Sequence, residues 1–163
     1  PYWIEEPTWP PNGHELLGSV VAKSPIPIAA GENEYYMDGF KELASIGVTY
    51  IQPDISKVGG IIKFMDIVKV ISSLGKQVAP HHRPHRSILA HTYTLHVASV
   101  MSDIAIVEWP LIWINDVYDE RVRVRNGYIN MSGLESTGVG LSVDEKALSR
   151  YPYIEKYIPL VFH

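Results

Sequence analysis

Residues 48–81 read VTYIQPDISKVGGIIKFMDIVKVISSLGKQVAPH. The stretch opens with an apolar run that ends at Asp54, and it closes with a second short apolar run that ends at His81. Between the two runs, apolar residues recur at helical spacing until Gly75, which is suited to a left-handed helix cap. The order strand, helix, strand with short connections predicts one βα unit and the strand of the next unit.

The same unit recurs outward from this stretch in both directions. Five apolar runs end on an acid or a histidine, and the intervals between those ends are 27, 22, 27 and 27 residues. An interval of this size holds one strand, one helix and two loops. Carboxyl ends of parallel strands meet at one rim, so the sequence predicts a shared rim for Glu5, Glu32, Asp54, His81 and Glu108.

The apolar runs are continuous rather than alternating, which is typical of a parallel sheet covered on both faces. The predicted fold class is therefore α/β. We expect five βα units over residues 1–117 and a distinct C-terminal segment over 118–163. In that segment, charged and apolar residues alternate around Asn126-Gly127, a pattern that predicts an exposed hairpin.

Composition limits the possible partners and chemistry. The chain has 163 residues, 46% hydrophobic content and a formal net charge of −4, so neither nucleic acid nor a membrane surface is expected as a partner. No apolar run approaches the ~20 residues of a membrane helix, and a cytoplasmic protein is expected. Cysteine is absent, which leaves oxygen and imidazole groups as metal ligands.

Five short motifs carry a resemblance to a known family. They are Trp3-Ile4-Glu5-Glu6-Pro7, Gly31-Glu32-Asn33, Pro53-Asp54 with Lys57-Val58-Gly59-Gly60, Pro80-His81, and Val107-Glu108-Trp109-Pro110. In order and spacing they resemble the enolase superfamily of the mandelate racemase and muconate lactonizing enzyme type, most closely its acid-sugar dehydratase branch. The resemblance implies the C-terminal part of a modified (β/α)8 TIM-type barrel, about strands four to eight, which is incomplete alone. Residues 118–163 would return toward a capping domain that this chain lacks.

The resemblance also implies a site. Glu5 and Glu32 would be two ligands of Mg²⁺, and the family's third carboxylate ligand and its lysine acid/base have no counterpart here. Asp54 and His81 would form an acid/base dyad, in which the carboxylate orients and charges the imidazole. Glu108, if protonated, would donate a hydrogen bond to the developing enolate oxygen.

Three further residues are expected to contact the substrate. His82 and Arg83 follow the dyad histidine, and their loop would meet substrate carboxylate or hydroxyl groups. A basic patch for nucleic acid is the alternative interpretation, which the net charge disfavours. Trp109 follows Glu108 closely enough to border a pocket, although burial of apolar area is its simplest role.

The expected reaction is removal of the proton alpha to the carboxylate of a hydroxy or sugar acid, followed by loss of water. A racemase or epimerase of the same fold is the alternative, because the spacings do not separate the two. A third alternative is that the isolated chain is an inactive structural fragment. Five strands leave open edges, so we expect a missing N-terminal half or self-association into a homo-oligomer to cover them.

Some candidate residues have plainer interpretations. A single acid at a strand end is more often a helix cap than a ligand. Glu6 is adjacent to Glu5 and points the other way along a strand, so we expect it to support the site from outside. Lys57 with Gly59-Gly60 fits neither common phosphate-binding pattern, and a tight turn before the next helix is expected. His91 is expected to pack or lie on the surface.

Overall fold

The computed structural model describes residues 1–9, 13–82, 88–109 and 122–152. The chain divides into two compact units, Pro1–Trp113 and Ile114–His163. The boundary predicted at residues 117 and 118 falls outside the described residues.

Strands and helices alternate along the first unit. They are β1 (Ile4–Glu5), α1 (Gly13–Val21), β2 (Ile28–Ala30), α2 (Met37–Ser45), β3 (Tyr50–Ile51), α3 (Ile61–Ser73), β4 (Gln77–Val78) and α4 (Ile88–Val100). Within the described residues, the four strands form one parallel sheet in the order β1-β2-β3-β4. Each strand thus pairs with the next one along the chain, as in a singly wound barrel. The α/β class predicted from the sequence is confirmed.

Both edges of this sheet differ from the prediction. The fifth strand, expected over 104–107, is reduced to a single parallel bridge between Val78 and Ile104, with the Ala105 N–H donating to Val78 O at 2.8 Å. At the other edge, Ile4 of β1 is 37% exposed, although the sequence predicts a sheet that is covered on both faces. In the described part of the chain, each of these segments has a neighbouring strand on one side only. The backbone N–H and C=O groups on its other side therefore have no strand to pair with.

The core lies between the sheet and its helices. Strand side chains of the core pack against α2 and α3, whose fully buried anchors are Phe40 and Phe64. Helix α3 ends at Ser73, and Gly75 follows with a φ of +73°, as the sequence predicts for a left-handed cap. Of the helices in the described segments, none has the length and apolar content to cross a bilayer.

The second unit contains the predicted hairpin. Strands β5 (Arg123–Arg125) and β6 (Tyr128–Asn130) pair antiparallel. Asn126 and Gly127 connect them with φ angles of +51° and +79°, as a two-residue type I′ turn requires. A 3-10 turn (Met131–Leu134) and α5 (Glu145–Leu148) follow, and the hairpin prediction is confirmed.

Candidate active site

The parallel sheet brings the predicted polar groups to one edge. Glu5 is the last residue of β1, whereas Glu32, Asp54 and His81 follow β2, β3 and β4 by two or three residues. Gly31 makes the turn after β2 with a φ of +126°, and a Cβ there would lie 3.2 Å from the backbone nitrogen of Gln52. A side chain at this position would therefore be strained and would crowd β3.

Asp54 and His81, the pair predicted as an acid/base dyad, are in contact. His81 Nδ1 lies 3.1 Å from Asp54 Oδ2, and both side chains are buried. The other carboxylate oxygen of Asp54 accepts hydrogen bonds from Ser56 N at 2.8 Å and Ser56 Oγ at 2.6 Å. Burial alone would raise the pKa of Asp54, but the hydrogen bonds from His81 and Ser56 outweigh it and lower the pKa to about 2. The carboxylate is therefore ionised at neutral pH.

His81 has a second carboxylate partner. Its Nε2 lies 3.2 Å from Glu32 Oε2, so the ring bridges Asp54 and Glu32. Burial alone would lower the pKa of His81, but the Asp54 hydrogen bond and the charges of Glu32 and Glu108 raise it above 6.5. A ring with a carboxylate at each nitrogen favours the imidazolium form, which donates from both nitrogens. Asp54 fixes Nδ1, so Nε2 is the atom that can exchange a proton.

Glu5 is exposed, and two side-chain donors orient it. Gln52 Nε2 donates to Glu5 Oε2 at 2.8 Å, and Trp3 Nε1 donates to the same oxygen at 3.2 Å. Both donors select one carboxylate oxygen, which leaves the other oxygen for a further ligand. Gln52 is 4% exposed, and its Oε1 is a buried acceptor without a hydrogen-bond partner among the described residues.

Glu108 joins the same rim from the segment after Ile104. Its Oε2 accepts a hydrogen bond from the backbone N–H of His82 at 2.7 Å. Partial burial of the carboxylate raises the pKa of Glu108, and repulsion from Glu5 and Glu32 acts in the same direction. The protonated form is thus easier to reach than for an isolated glutamate.

The residues predicted to contact substrate lie in different surroundings. The ring of His82 is buried against His91, with ring centroids 4.3 Å apart, and burial lowers the pKa of His82 to about 4. His91 is also buried, and Trp109 meets it edge-on at 5.2 Å. Arg83 lies outside the described residues. The substrate-binding roles of His82, Arg83 and Trp109 stay predictions.

A cavity of about 230 Å³ adjoins the rim. Its lining consists of two acids and one amide against an apolar wall: Trp3, Glu5, Gln52, Ala79, Pro80, Ile106, Val107, Glu108 and Trp109. The cavity joins the first and last strand ends of the unit, beside the carboxylates of Glu5 and Glu108.

The donor chemistry of the rim suits a hard cation. Carboxylate oxygens are the ligands that Mg²⁺ prefers, and Mg²⁺ often uses one or two of them while keeping several waters. The described segments contain no group of three His, Cys, Asp or Glu side chains arranged to hold a metal. Glu5 and Glu32 are carboxylates of the kind that Mg²⁺ uses, and their role as ligands stays a prediction.

Sequence reasoning missed Gln52. It lies two residues before Asp54 on the same run, and side chains two apart on a strand share a face. That period could have identified Gln52 as a residue directed toward the rim.

Comparison with known proteins identifies the family of this chain. The model of the family described as enolase C-terminal domain-like matches residues 1–147. Because the match covers most of the chain, the chain belongs to this family, and the recognition made from the motifs is confirmed.

Individual relatives cover the chain almost fully but are much longer. D-xylonate dehydratase of Haloferax volcanii is 28% identical over 92% of this chain, and the chain spans 36% of that protein. A mandelate racemase/muconate lactonizing enzyme structure from Jannaschia sp. CCS1 has a TM-score of 0.84 at 25% identity, covering 99% of this chain and 41% of its own. The 3,6-anhydro-D-galactonate cycloisomerase of Zobellia galactanivorans has a TM-score of 0.79 at 25% identity, with 92% and 42% covered. The partial barrel predicted from the sequence is confirmed.

Proposed function

We propose that this chain forms the C-terminal barrel portion of a Mg²⁺-dependent enzyme that removes the alpha proton of a hydroxy or sugar carboxylate. The proposed reaction class is acid-sugar dehydration. The observation that carries the proposal is the position of His81, which bridges Asp54 at 3.1 Å and Glu32 at 3.2 Å on the rim that also bears Glu5.

Glu5 and Glu32 are the proposed Mg²⁺ ligands. When bound, the ion would neutralise charge that develops on the substrate carboxylate as the alpha proton leaves. Gln52 and Trp3 both donate to Oε2 of Glu5, so they would keep Oε1 available as the ligand atom. A third oxygen ligand from elsewhere would strengthen the site, because affinity follows the number of charged ligands.

His81 is the proposed acid in the dehydration step. The alpha proton would pass to a base on the part of the barrel that completes this chain, since the family's lysine acid/base has no counterpart here. The proton on Nε2 of His81 would then pass to the β-hydroxyl as its C–O bond breaks, so that water leaves and a neutral imidazole remains. Asp54 would hold Nδ1 throughout, fixing the ring and stabilising its charged form. Glu108, in its protonated form, would donate a hydrogen bond to the oxygen that gains charge.

The name of one relative supports dehydration over other reactions that begin with removal of the alpha proton. D-xylonate dehydratase is named for a sugar acid and for loss of water. The resemblance in fold to the mandelate racemase/muconate lactonizing enzyme structure keeps racemisation or epimerisation as the second candidate. Exchange of deuterium from solvent into the alpha carbon without loss of water would select that alternative.

An inactive structural fragment is the third candidate for the isolated chain. The chain spans 36% of the dehydratase it matches, and the described residues contain no group of three acids or histidines arranged to hold a metal. Exposed apolar side chains such as Tyr2 and Trp9, each 71% exposed, support association with another segment or a second copy. A strictly monomeric sedimentation profile would contradict self-association.

The test combines cation binding with turnover. Mn²⁺, a spin-active substitute for Mg²⁺ at oxygen ligands, would be titrated into the chain and followed by electron paramagnetic resonance. We expect binding that Glu5→Gln and Glu32→Gln each weaken. Aldonic acids would then be assayed for 2-keto-3-deoxy products with a polypeptide that completes the barrel. Absence of cation binding together with absence of turnover on the whole panel would overturn the proposal.

A further inference from the structure

A second group of polar side chains links the loops that carry the two proposed metal ligands. Lys57 Nζ donates to the backbone oxygen of Glu32 and to Asn33 Oδ1, the latter at 3.0 Å. Asn33 Nδ2 in turn donates to Glu6 Oε2 at 3.1 Å. Lys57, Asn33 and Glu6 thus form a chain of hydrogen bonds, which we call the rim clamp. It spans the ends of three neighbouring strands.

The backbone at Glu6 is also held in place by its surroundings. Glu6 has a φ of +37°, which is uncommon for a residue with a side chain and persists only where its surroundings hold it. The Glu6 N–H donates to Ala29 O at 3.0 Å, which ties the end of β1 to β2. The side chain of Glu6 meets Asn33, whereas the carboxylate of its neighbour Glu5 meets Gln52.

We propose that Lys57, Asn33 and Glu6 are positioning residues that fix the separation of the Glu5 and Glu32 carboxylates and thereby set the cation affinity of the rim. The proposal rests on the proposed function for the identity of the ligands. Each ligand is covalently adjacent to a member of the clamp, or hydrogen-bonded through its own backbone to one. Movement of the clamp therefore moves both carboxylates.

The charges along the clamp explain its composition. Lys57 places a cation at the strand ends, where Glu6 and Glu32 repel each other. Asn33 is an amide, so it can accept from Lys57 and donate to Glu6 at the same time. An aspartate at this position would keep the first bond and lose the second, because two carboxylates cannot donate to each other when ionised.

Because an aspartate would lose only the bond to Glu6, a second substitution at Glu6 can be used to restore that bond. At about pH 8, Asn33→Asp is expected to place two ionised carboxylates in contact and to weaken the clamp. Adding Glu6→Gln restores it, because the glutamine amide can donate to the new aspartate. Glu6→Gln alone is expected to be mild, because Asn33 can still donate to the glutamine oxygen. Lys57→Met removes the charged end, and the exposed Lys69→Met on α3 is the matched control.

The first readout is Mn²⁺ affinity by electron paramagnetic resonance. Both Lys57→Met and Asn33→Asp make the rim more negative, which by itself would raise Mn²⁺ affinity. We nevertheless expect a net fall, up to the roughly 10–100-fold cost of losing an outer hydrogen-bond partner at a metal site, because the two carboxylates lose their positions. The double variant is expected to recover to within about threefold of the parent, because neighbouring substitutions in one network couple.

The second readout does not need a metal. The Glu34 N–H donates to Gly31 O at 3.1 Å in the loop that the clamp holds. Hydrogen exchange at this amide is expected to accelerate in Lys57→Met and Asn33→Asp, and to slow again in the double variant. If the parent chain fails to bind Mn²⁺ but shows this exchange pattern, the hydrogen-bonded clamp stands, whereas its effect on cation affinity and the assignment of Glu5 and Glu32 as ligands fail. If exchange is unchanged in the variants, or if their Mn²⁺ affinity equals or exceeds that of a parent chain that binds Mn²⁺, the clamp proposal is overturned.

Discussion

The rim has two halves that differ in burial. The dyad half consists of Asp54 and His81, which are 4% and 7% exposed and bond to each other. The carboxylate half consists of Glu5, which is exposed, and Glu32, whose side chain is 21% exposed. Both halves come from ends of the same parallel sheet, so strand geometry alone does not explain the difference.

The difference follows from the cost of burying charge. A charged group removed from water needs a partner, and in the dyad half each residue is the partner of the other. The carboxylate half stays partly hydrated, and its acids are oriented through Gln52, Trp3 and the rim clamp. The side chains of the dyad half therefore satisfy each other, whereas the carboxylate half is the part for which we propose a cation.

The largest expected effect comes from breaking the dyad half. In a turnover-competent polypeptide, His81→Asn is expected to lower kcat by about 10²–10⁴-fold, because a positioned acid/base contributes that much. Mn²⁺ affinity should fall much less than kcat, since His81 is not a proposed ligand. The measurement is steady-state kinetics with a parallel Mn²⁺ titration. Unchanged kcat would remove His81 from the mechanism.

Breaking the carboxylate half is expected to act on cation binding. Glu5→Gln should weaken Mn²⁺ by more than the roughly 10–100-fold that an outer partner contributes, because it removes a charged ligand itself. The matched control is Glu15→Gln on α1, where the acid is exposed. Electron paramagnetic resonance gives both affinities. Equal affinities in the two variants would contradict the assignment of Glu5.

The Asp54 carboxylate of the dyad half should also affect the free energy of unfolding at acidic pH. The pKa of Asp54 is lowered from 3.8 to about 2, so the ionised carboxylate stabilises the fold above about pH 4 and that contribution is lost as pH falls toward 2. The shift corresponds to about 2 kcal/mol. The stability difference between the parent and Asp54→Asn should shrink by that amount over this pH range in urea unfolding. The exposed Asp66→Asn is the control, and a constant difference would contradict the argument.

A smaller effect is expected from the amide that orients Glu5. Gln52→Leu removes the donor to Glu5 and the buried unpartnered Oε1 together. Mn²⁺ affinity should fall about tenfold, the lower end for an outer partner. The free energy of unfolding should stay nearly unchanged, because a lost hydrogen bond is offset by removal of an unsatisfied acceptor. A large loss of stability without loss of affinity would assign Gln52 a structural role instead.

The sequence predicted the order of the polar residues along the rim better than the contacts between them. A repeat of about one βα unit places Asp54 and His81 on adjacent strand ends, and the structure brings them to 3.1 Å. The same repeat did not predict the contact between His81 and Glu32, whose strands β4 and β2 are not neighbours in the sheet. Spacing along the chain gives strand order, whereas such a contact depends on how far two side chains reach across the strand between them.

The sequence also did not predict how far each strand extends. The run from Ile104 to Val107 has strand composition, yet the ladder stops at the Val78–Ile104 bridge. A strand needs a partner at each step, and composition does not report whether one is present. The hairpin at Asn126-Gly127 was predictable because the requirement for two positive φ angles is local and these residues meet it.

The central claim is that the two halves converge on one cation and one small organic acid. The most direct test is to measure the pKa of His81 by proton NMR of its ring, without Mg²⁺ and with Mg²⁺ at saturating concentration. The charge of Glu32 helps to hold this pKa above 6.5. The account predicts that Mg²⁺ lowers the pKa of His81 in the parent chain and has little effect in Glu32→Gln. A His81 pKa that Mg²⁺ leaves unchanged in the parent chain would contradict it.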